Sequence, residues 1–456
     1  MSETPMDGTG STALLTDQYE LTMLDAALRD GAAERPTVFE TFARKLPEGR
    51  QVGVVAGLGR LMDALEHFEF DPRSLAFLDD NSLVSPATLS WLEGFRFRGE
   101  LWAYPEGELY VPDSPVLTVA APFAEAVVLE TIVLSVLNHD SAIASAAAPM
   151  VVAADGRGLL EFGSRRTHEQ AAVAAARAAY LVGFDGTSNL AAGARYGVPT
   201  LGTSAHAFTL LHDDESEAFR SQVAALGPET TLLVDTFDVH RGVARALEVA
   251  GTDLGGIRID SGDLATHAKQ ARAQLDAAGA TSTKIVASGN LNAERILELR
   301  GAPIDAYGVG TELVTGAGAP TAEFVYKMVA RAPGIGQPCE PVAKAGGVKA
   351  TVGGRKRAHR RRRNGRGVAE VLRDWDTEPR EPAEDERSLQ VPVLVDGERR
   401  HDPSLEEIRA HHRAVRDEVP WETFLSHSST EVCWPTLEQL DPSGAHPGAA
   451  HQEVVT

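Results

Sequence analysis

The sequence predicts an α/β protein with a parallel β/α barrel, or a related α/β fold, at its centre and an α+β domain before it. Two observations carry this. Between residues 159 and 312, seven short apolar runs each end in small or polar residues, and helical stretches of about 10–20 residues separate most of them. Ahead of that region, strand-like and helical runs are mixed without such a rhythm. Hydrophobic residues at 43% and charged residues at 24% are ordinary for a globular chain, and 456 residues suffice for two or three domains.

Taken in order, residues 1–12 are small and polar and are expected to fray. Thr16–Gly31 (TDQYELTMLDAALRDG) reads as a helix, capped by Thr16 or Asp17 and stopped by Gly31. PTVFETFAR, QVGVVAG, ELYVP and PVLTVAAP are strand-like, so 13–123 is the expected α+β domain. The Ala-rich stretch from Ala124 to Ala154 is interrupted by Glu125, Glu130, His139 and Asp140, so it reads as a buried helix and not a membrane span. The barrel is expected over 124–330. Its strand candidates are LLEFGSRR (159–166), YLVGFDGTSN (180–189), VPTLGTSAH (198–206), TLLVDTFD (231–238), GIRIDSGD (256–263), KIVASGN (284–290) and IDAYGVGTE (304–312). Past 330, APGIGQPCEP is a turn-rich linker and 341–367 is glycine-rich and basic. A strand (LQVPVLVDGE) and a helix (PSLEEIRAHHRAVRDEV) complete a C-terminal segment, 331–420. The tail, 421–456, is expected to be largely disordered.

Charge narrows the function classes. With 43 Lys+Arg against 65 Asp+Glu the net charge is −22, which argues against a nucleic-acid binder that tracks phosphates. The exception is RKRAHRRRRNGR (355–366), which imitates a nucleic-acid patch but reads more simply as a solvated flexible loop. Two cysteines cannot build a disulfide framework, and MSETPMDGTG has no secretory character, so a reducing cytoplasmic setting is expected.

In a β/α barrel the chemistry sits at the C-terminal strand ends, and here those ends are polar. Arg165 and Arg166 suit a phosphate or carboxylate; a surface pair bridging to acids is the alternative. His206 offers an imidazole nucleophile or acid/base, or a structural histidine, with Asp235 as a carboxylate to hold it and Thr203 as a nearby hydroxyl. Arg258 and Asp260 sit at alternate strand positions and so share a face. They could hold an anion and Mg²⁺, while the acids of DSGD could equally cap a helix. Ser288, Gly289, Gly308, Gly310 and Thr311 lie in turns whose backbone N–H groups could nest an anion. Tyr19, unaided, reads as a packing residue. No P-loop, clean GxGxxG, HExxH or CxxC appears.

Together, TDQYELTM, FETFARKLP, LNHDSAIASAAAPM, EFGSRRTHE, GFDGTSNLAAG, GTSAHAF, LLVDTFDV, GIRIDSGDL, SGNLN and YGVGTELVTG resemble nicotinate phosphoribosyltransferases, in the family's order from about residue 12 to 415. Departures are small: Thr167 and Pro149 replace an expected Ala and a basic residue, and 355–366 is unusually rich in arginine. The resemblance implies an irregular β/α barrel with C-terminal strands returning to the N-terminal domain, in a homodimer with shared active sites. It implies transfer of phosphoribosyl from phosphoribosyl pyrophosphate to nicotinate, with Mg²⁺ and with ATP as co-substrate. It implies His206 as a transient phosphohistidine oriented by Asp235, and Tyr19 and Phe162 as rings on either face of nicotinate, Tyr19 from the partner. Arg165, Thr203 and Arg258 match substrate contacts, and Gly308, Gly310 and Thr311 match the 5-phosphate site. Ser188 stands where nicotinamide-using relatives carry Asp, and a neutral Ser tolerates the nicotinate anion. Nicotinamide or quinolinate as acceptor, or an unrelated phosphosugar enzyme on the same barrel, are the competing readings. Against the last, no Lys stands at a strand end between 159 and 312; Lys284 begins its strand.

Overall fold

A computed structural model describes residues 10–344, 352–376, 382–425 and 436–439. The expectations for residues 1–9, for 345–351 and for the tail outside 421–425 and 436–439 therefore lie outside the described residues. The chain forms two compact units, one from residues up to 141 together with 321 onward, the other from 142–320. The limits expected from composition, 123/124 and 330/331, differ from these. The apolar helix Glu130–Ala154 supplies residues to both units, so apolar composition marks no boundary there. Pro149 lies inside that helix without ending it. The stretch Phe123–Ala154 is long and apolar enough to cross a bilayer, but 67% of its most apolar window is buried in protein.

In the first unit the helix Gln18–Asp30 forms as its sequence predicts, with Asp17 as N-cap and Gly31 left-handed (φ 83°) as C-cap. A seven-stranded antiparallel sheet is the main layer. Its strand Pro36–Ala43 is flanked by Leu117–Pro122 and by Phe324–Arg331, with Thr41 opposite Tyr326. Val391–Val395 joins Glu100–Ala103. C-terminal strands thus return to the N-terminal sheet.

The basic run is the main correction to the sequence reading. Lys356–Arg363 is a strand, paired with Arg366–Asp374 in a four-stranded sheet, and not a solvated loop. Acids within the same unit absorb its charge. Lys356 Nζ lies 2.6 Å from Glu40, Arg361 3.2 Å from Glu386, and the fully buried Arg360 3.1 Å from Glu370. Arg355 and Arg357 both lie 3.8 Å from the centre of the Trp375 ring. Lys356, Arg360 and Arg361 spend their charge on buried glutamates, while Arg362 and Arg363 at the end of the strand are exposed.

The second unit carries a six-stranded parallel sheet. Its order is Gly186–Thr187, Gly158–Glu161, Ala306–Val309, Lys284–Gly289, Gly256–Ile259, Thr231–Leu233. The strands are short, and Ile257, Ile259, Ile285, Ala287, Tyr307 and Val309 bury their apolar faces. The Ala-rich helix Glu169–Val182, buried from Ala172 onward, packs the turn between the first two strands of this unit in the chain. The sheet is an open, parallel half-barrel whose edge strands are Gly186–Thr187 and Thr231–Leu233, so the closed barrel expected from the sequence is matched only in part. The third of the seven runs, 198–206, contributes only a bridge from Thr200 to Thr187, and among the described residues no ladder joins it to Thr231–Leu233. Gly202 and Pro199 and the polar residues around them supply too little apolar surface for a full strand.

Candidate active site

Polar strand ends of the second unit, together with the 198–206 run, line one cavity of about 550 Å³; the DTFD end of Thr231–Leu233 is not in that lining. Phe162, Ser164, Arg165 and Arg166 form one wall, Ser188 and Gly202–Ala205 another. Arg258, Asp260, Ser288–Asn290, Gly308, Gly310 and Thr311 close it. Twelve of the fifteen residues singled out from sequence therefore meet here.

Arg258 is the hub. Its strand is buried through Ile257 and Ile259, which turns the intervening side chain the other way, toward Asp260's side. Nε donates to Ser288 Oγ at 3.0 Å, Nη1 to Thr203 Oγ1 at 2.6 Å, and Nη2 to Asp260 Oδ1 at 3.3 Å. Ser288 Oγ donates to the same Asp260 oxygen. The guanidinium thus ties the 198–206 run, which joins no ladder to Thr231–Leu233 among the described residues, to the strands 256–259 and 284–289. Side chains do there what a backbone ladder does elsewhere. The same guanidinium carbon lies 5.8 Å from the centre of the Phe162 ring.

Phe162 follows the buried Glu161, and its backbone N–H donates to Val309 O at 2.7 Å. Its ring crowds Gly308, where an added Cβ would stand 2.6 Å from two ring carbons. Gly289 is required differently: its φ is +123° and a Cβ would stand 2.8 Å from Asp260 O. Arg165 and Arg166 project from the short 3₁₀ turn Ser164–Arg166, exposed, and neither has an ion-pair partner among the described residues. The cavity lining holds three arginines against one aspartate. A molecule of net charge −22 thereby keeps a locally positive site.

The acids of DSGD divide the two roles between them. Asp260 faces the cavity, while Asp263 caps the helix Leu264–Ala277 through Thr266 N at 3.2 Å. Asp260 Oδ2 has no protein partner among the described residues, whereas no cluster of three or more metal-ligating acids or imidazoles occurs among them.

His206 opens the helix His206–Leu211 beside Ala205 of the cavity wall. Its Nδ1 lies 3.1 Å from Thr236 Oγ1, and its Nε2 lies 4.0 Å from Asp235 Oδ1. Thr236, inside the DTFD motif, is the direct partner that sequence reading passed over. Asp235 is only a neighbouring charge. Its Oδ2 accepts from Asp260 N at 2.9 Å and Ser261 Oγ at 2.8 Å, and its buried Oδ1 is unpaired. Ser164, Ser204 and Asn290 were also passed over, although each lies within a motif that was singled out. Tyr19 belongs to the first unit; it is 46% exposed and is not among the residues lining this cavity.

Fold and site define an α/β enzyme with a cationic cavity at the C-terminal ends of parallel strands, suited to a multiply anionic substrate. The profile of the nicotinate phosphoribosyltransferase N-terminal domain matches residues 14–138, and that of the nicotinate phosphoribosyltransferase family matches 158–335. The chain is 56% identical over 407 residues to nicotinate phosphoribosyltransferase pncB1 of Mycobacterium tuberculosis, covering 88% of this chain and 89% of that one. It is 39% identical over 329 residues to the nicotinate phosphoribosyltransferase of Bacillus subtilis, covering 70% and 67%. The crystal structure of human nicotinic acid phosphoribosyltransferase superposes with a TM-score of 0.78 at 26% identity, over 92% of this chain and 97% of that one. The chain belongs to the nicotinate phosphoribosyltransferase family.

Proposed function

We infer that this chain is a nicotinate phosphoribosyltransferase of NAD salvage, joining nicotinate to the phosphoribosyl group of phosphoribosyl pyrophosphate and releasing pyrophosphate. The observation that carries this is the single cavity in which Phe162, three arginines and Ser188 surround space for an aromatic anion beside a phosphorylated sugar. In this reading the pyridine ring lies on Phe162, its carboxylate meets Arg165, and the neutral Ser188 leaves that anion unopposed. Gly308, Gly310 and Thr311 take the 5-phosphate, and Arg258 with Thr203 and Ser288 holds the sugar and pyrophosphate. The pyridine nitrogen attacks the anomeric carbon as the bond to pyrophosphate breaks. Positive charge develops on the sugar and negative charge on the leaving group. Alignment and fixed cations therefore matter more than a general base.

Asp260 Oδ2 fits one carboxylate contact to a Mg²⁺ that arrives with the pyrophosphate, since Mg²⁺ takes few protein ligands beside substrate phosphates. When bound, the ion would neutralise charge on the leaving group. His206 is proposed as the residue phosphorylated at ATP's expense, with Thr236 fixing its ring and Asp235 lying 4.0 Å from Nε2. A homodimer in which Tyr19 of the partner subunit covers the other face of nicotinate, an irregular barrel closed across the 198–206 break, and a cytoplasmic setting complete the proposal.

The test is product identification from nicotinate, phosphoribosyl pyrophosphate and ATP, with and without Mg²⁺. Nicotinate mononucleotide is expected, with little or none from nicotinamide or quinolinate. Failure to form it would overturn the reading. His206→Asn should keep slow transfer but lose its dependence on ATP; full coupling in that variant would remove the role given to His206.

A further inference from the structure

We propose that Glu161 is a positioning residue that sets how the cavity receives the acceptor ring, acting through a closed hydrogen-bond circuit without touching substrate. This rests on the reading above. Glu161 ends the strand Gly158–Glu161, is 1% exposed and is not among the residues lining the cavity. It has no cationic partner among the described residues, and burial pushes its pKa above the usual range. A buried carboxylate in that condition is costly unless its oxygens are fully hydrogen-bonded.

Both oxygens are in fact occupied. Oε1 accepts the Gly163 N–H and Oε2 accepts the Thr187 hydroxyl. Thr187 is fully buried, and its Oγ1 also accepts the Asn189 N–H at 2.9 Å. Asn189 Nδ2 then donates to Ser164 Oγ at 3.1 Å, while its Oδ1 accepts from Ala192 N at 3.0 Å. The circuit closes because Ser164 adjoins Gly163. One side of it carries Phe162, Arg165 and Arg166; the other carries Ser188. Backbone pairing joins the two strands as well, with Ser188 N donating to Glu161 O at 2.9 Å; the Glu161 carboxylate adds the link that sets the Gly163–Arg166 turn against them.

The turn has no slack on that side. A Cβ on Gly163 would stand 2.9 Å from Glu161 Oε1 and 3.0 Å from Gly310 O. Removing the carboxylate frees Gly163 N–H and Thr187 O–H together and lets the Gly163–Arg166 turn drift, while the backbone ladder still holds Thr187 and Ser188. A drift of this kind changes acceptor binding more than phosphoribosyl binding, because Arg258 holds its partners independently of the circuit.

The experiment compares Glu161→Ala, Glu161→Gln and Thr187→Val in the full chain, with steady-state kinetics and a melting curve for each. Glu161→Ala should raise the nicotinate KM about tenfold or more, with the phosphoribosyl pyrophosphate KM and kcat held within about threefold. Glu161→Gln should recover most of the loss, since the amide oxygen still accepts Gly163 N–H and its N–H₂ donates to Thr187. Thr187→Val, which removes the hydroxyl's bonds to Glu161 and Asn189 but leaves the carboxylate on Gly163 N–H, should give a smaller rise. An unmoved nicotinate KM, an equal rise in both KM values, or Glu161→Gln as impaired as Glu161→Ala would overturn the proposal. If Glu161→Ala does not fold, Thr187→Val decides on the same criteria. Wild-type protein that makes no nicotinate mononucleotide overturns the functional reading, and this inference with it. Wild-type turnover with an unmoved variant overturns this inference alone.

Discussion

Gly308→Ala is the sharpest probe of the acceptor platform. The new Cβ would stand 2.6 Å from Cδ2 and Cε2 of Phe162 and 3.1 Å from Ser288 Cβ. Carbon atoms rest at about 3.5–4.0 Å, so the ring must retreat by roughly 1 Å or swing off its rotamer. Backbone retreat is limited, because the strand Ala306–Val309 is paired on both edges, with Lys284–Gly289 and with Gly158–Glu161. Overpacking of this kind costs on the order of 1–3 kcal/mol. The cost falls on the surface that the pyridine ring must share, so the nicotinate KM should rise by roughly tenfold to a hundredfold. The assay is the initial rate against nicotinate at saturating phosphoribosyl pyrophosphate and ATP, with a melting curve as the folding control. A nicotinate KM within about twofold of wild type in a well-folded variant would refute the reasoning, since the ring would then not serve as the platform.

Three further outcomes follow from other parts of the structure. Arg258→Lys keeps the charge but not the fork that joins Thr203, Ser288 and Asp260, so kcat/KM for phosphoribosyl pyrophosphate should fall about ten- to a hundredfold, read by steady-state kinetics. Arg360→Ala leaves Glu370 buried without its cation and should cost about 3–5 kcal/mol in urea unfolding; adding Glu370→Gln should recover much of that. His412 is buried, its Nδ1 bonded to Gly107 O at 2.9 Å and its Nε2 unpaired, and burial depresses its pKa from 6.5 to about 4. The unfolded chain therefore binds this proton more readily than the folded one. The stability gained from a neutral His412 is whole above pH 6.5 and drains as pH falls toward about 4. His412→Phe should flatten the pH dependence of urea unfolding in that window; an unchanged slope would remove His412 from the account.

Much of the site was legible because strand ends in this fold announce themselves. Arg258 and Asp260 could be placed on one face from period-two alternation alone, and Ser288 and Thr311 from the small or polar residues that close each apolar run; Ser188 came only with the family resemblance. Thr236 and Glu161 were not legible. Thr236 sits beside an aspartate that looks like the better partner for His206, and only coordinates show that Asp235 is already held by Asp260 N and Ser261. Glu161 reads as the polar end of a strand, and its two hydrogen-bond partners come from a turn and from a separate strand. The basic run misled because composition does not reveal what lies opposite. Its glutamates, Glu40, Glu370 and Glu386, are scattered along the chain.

The sequence by itself determined the rhythm of apolar runs, the helix caps and the family to which the chain belongs, because these are local patterns or ordered sets of them. Only the tertiary structure decided which carboxylate serves which partner, that the 198–206 run joins no ladder to Thr231–Leu233 and is held instead by Arg258, and that the arginine run is a strand whose first half is mostly buried. Each of those depends on residues far apart in the chain coming within a few ångströms, where burial and hydrogen-bond geometry, and not residue type, choose the outcome.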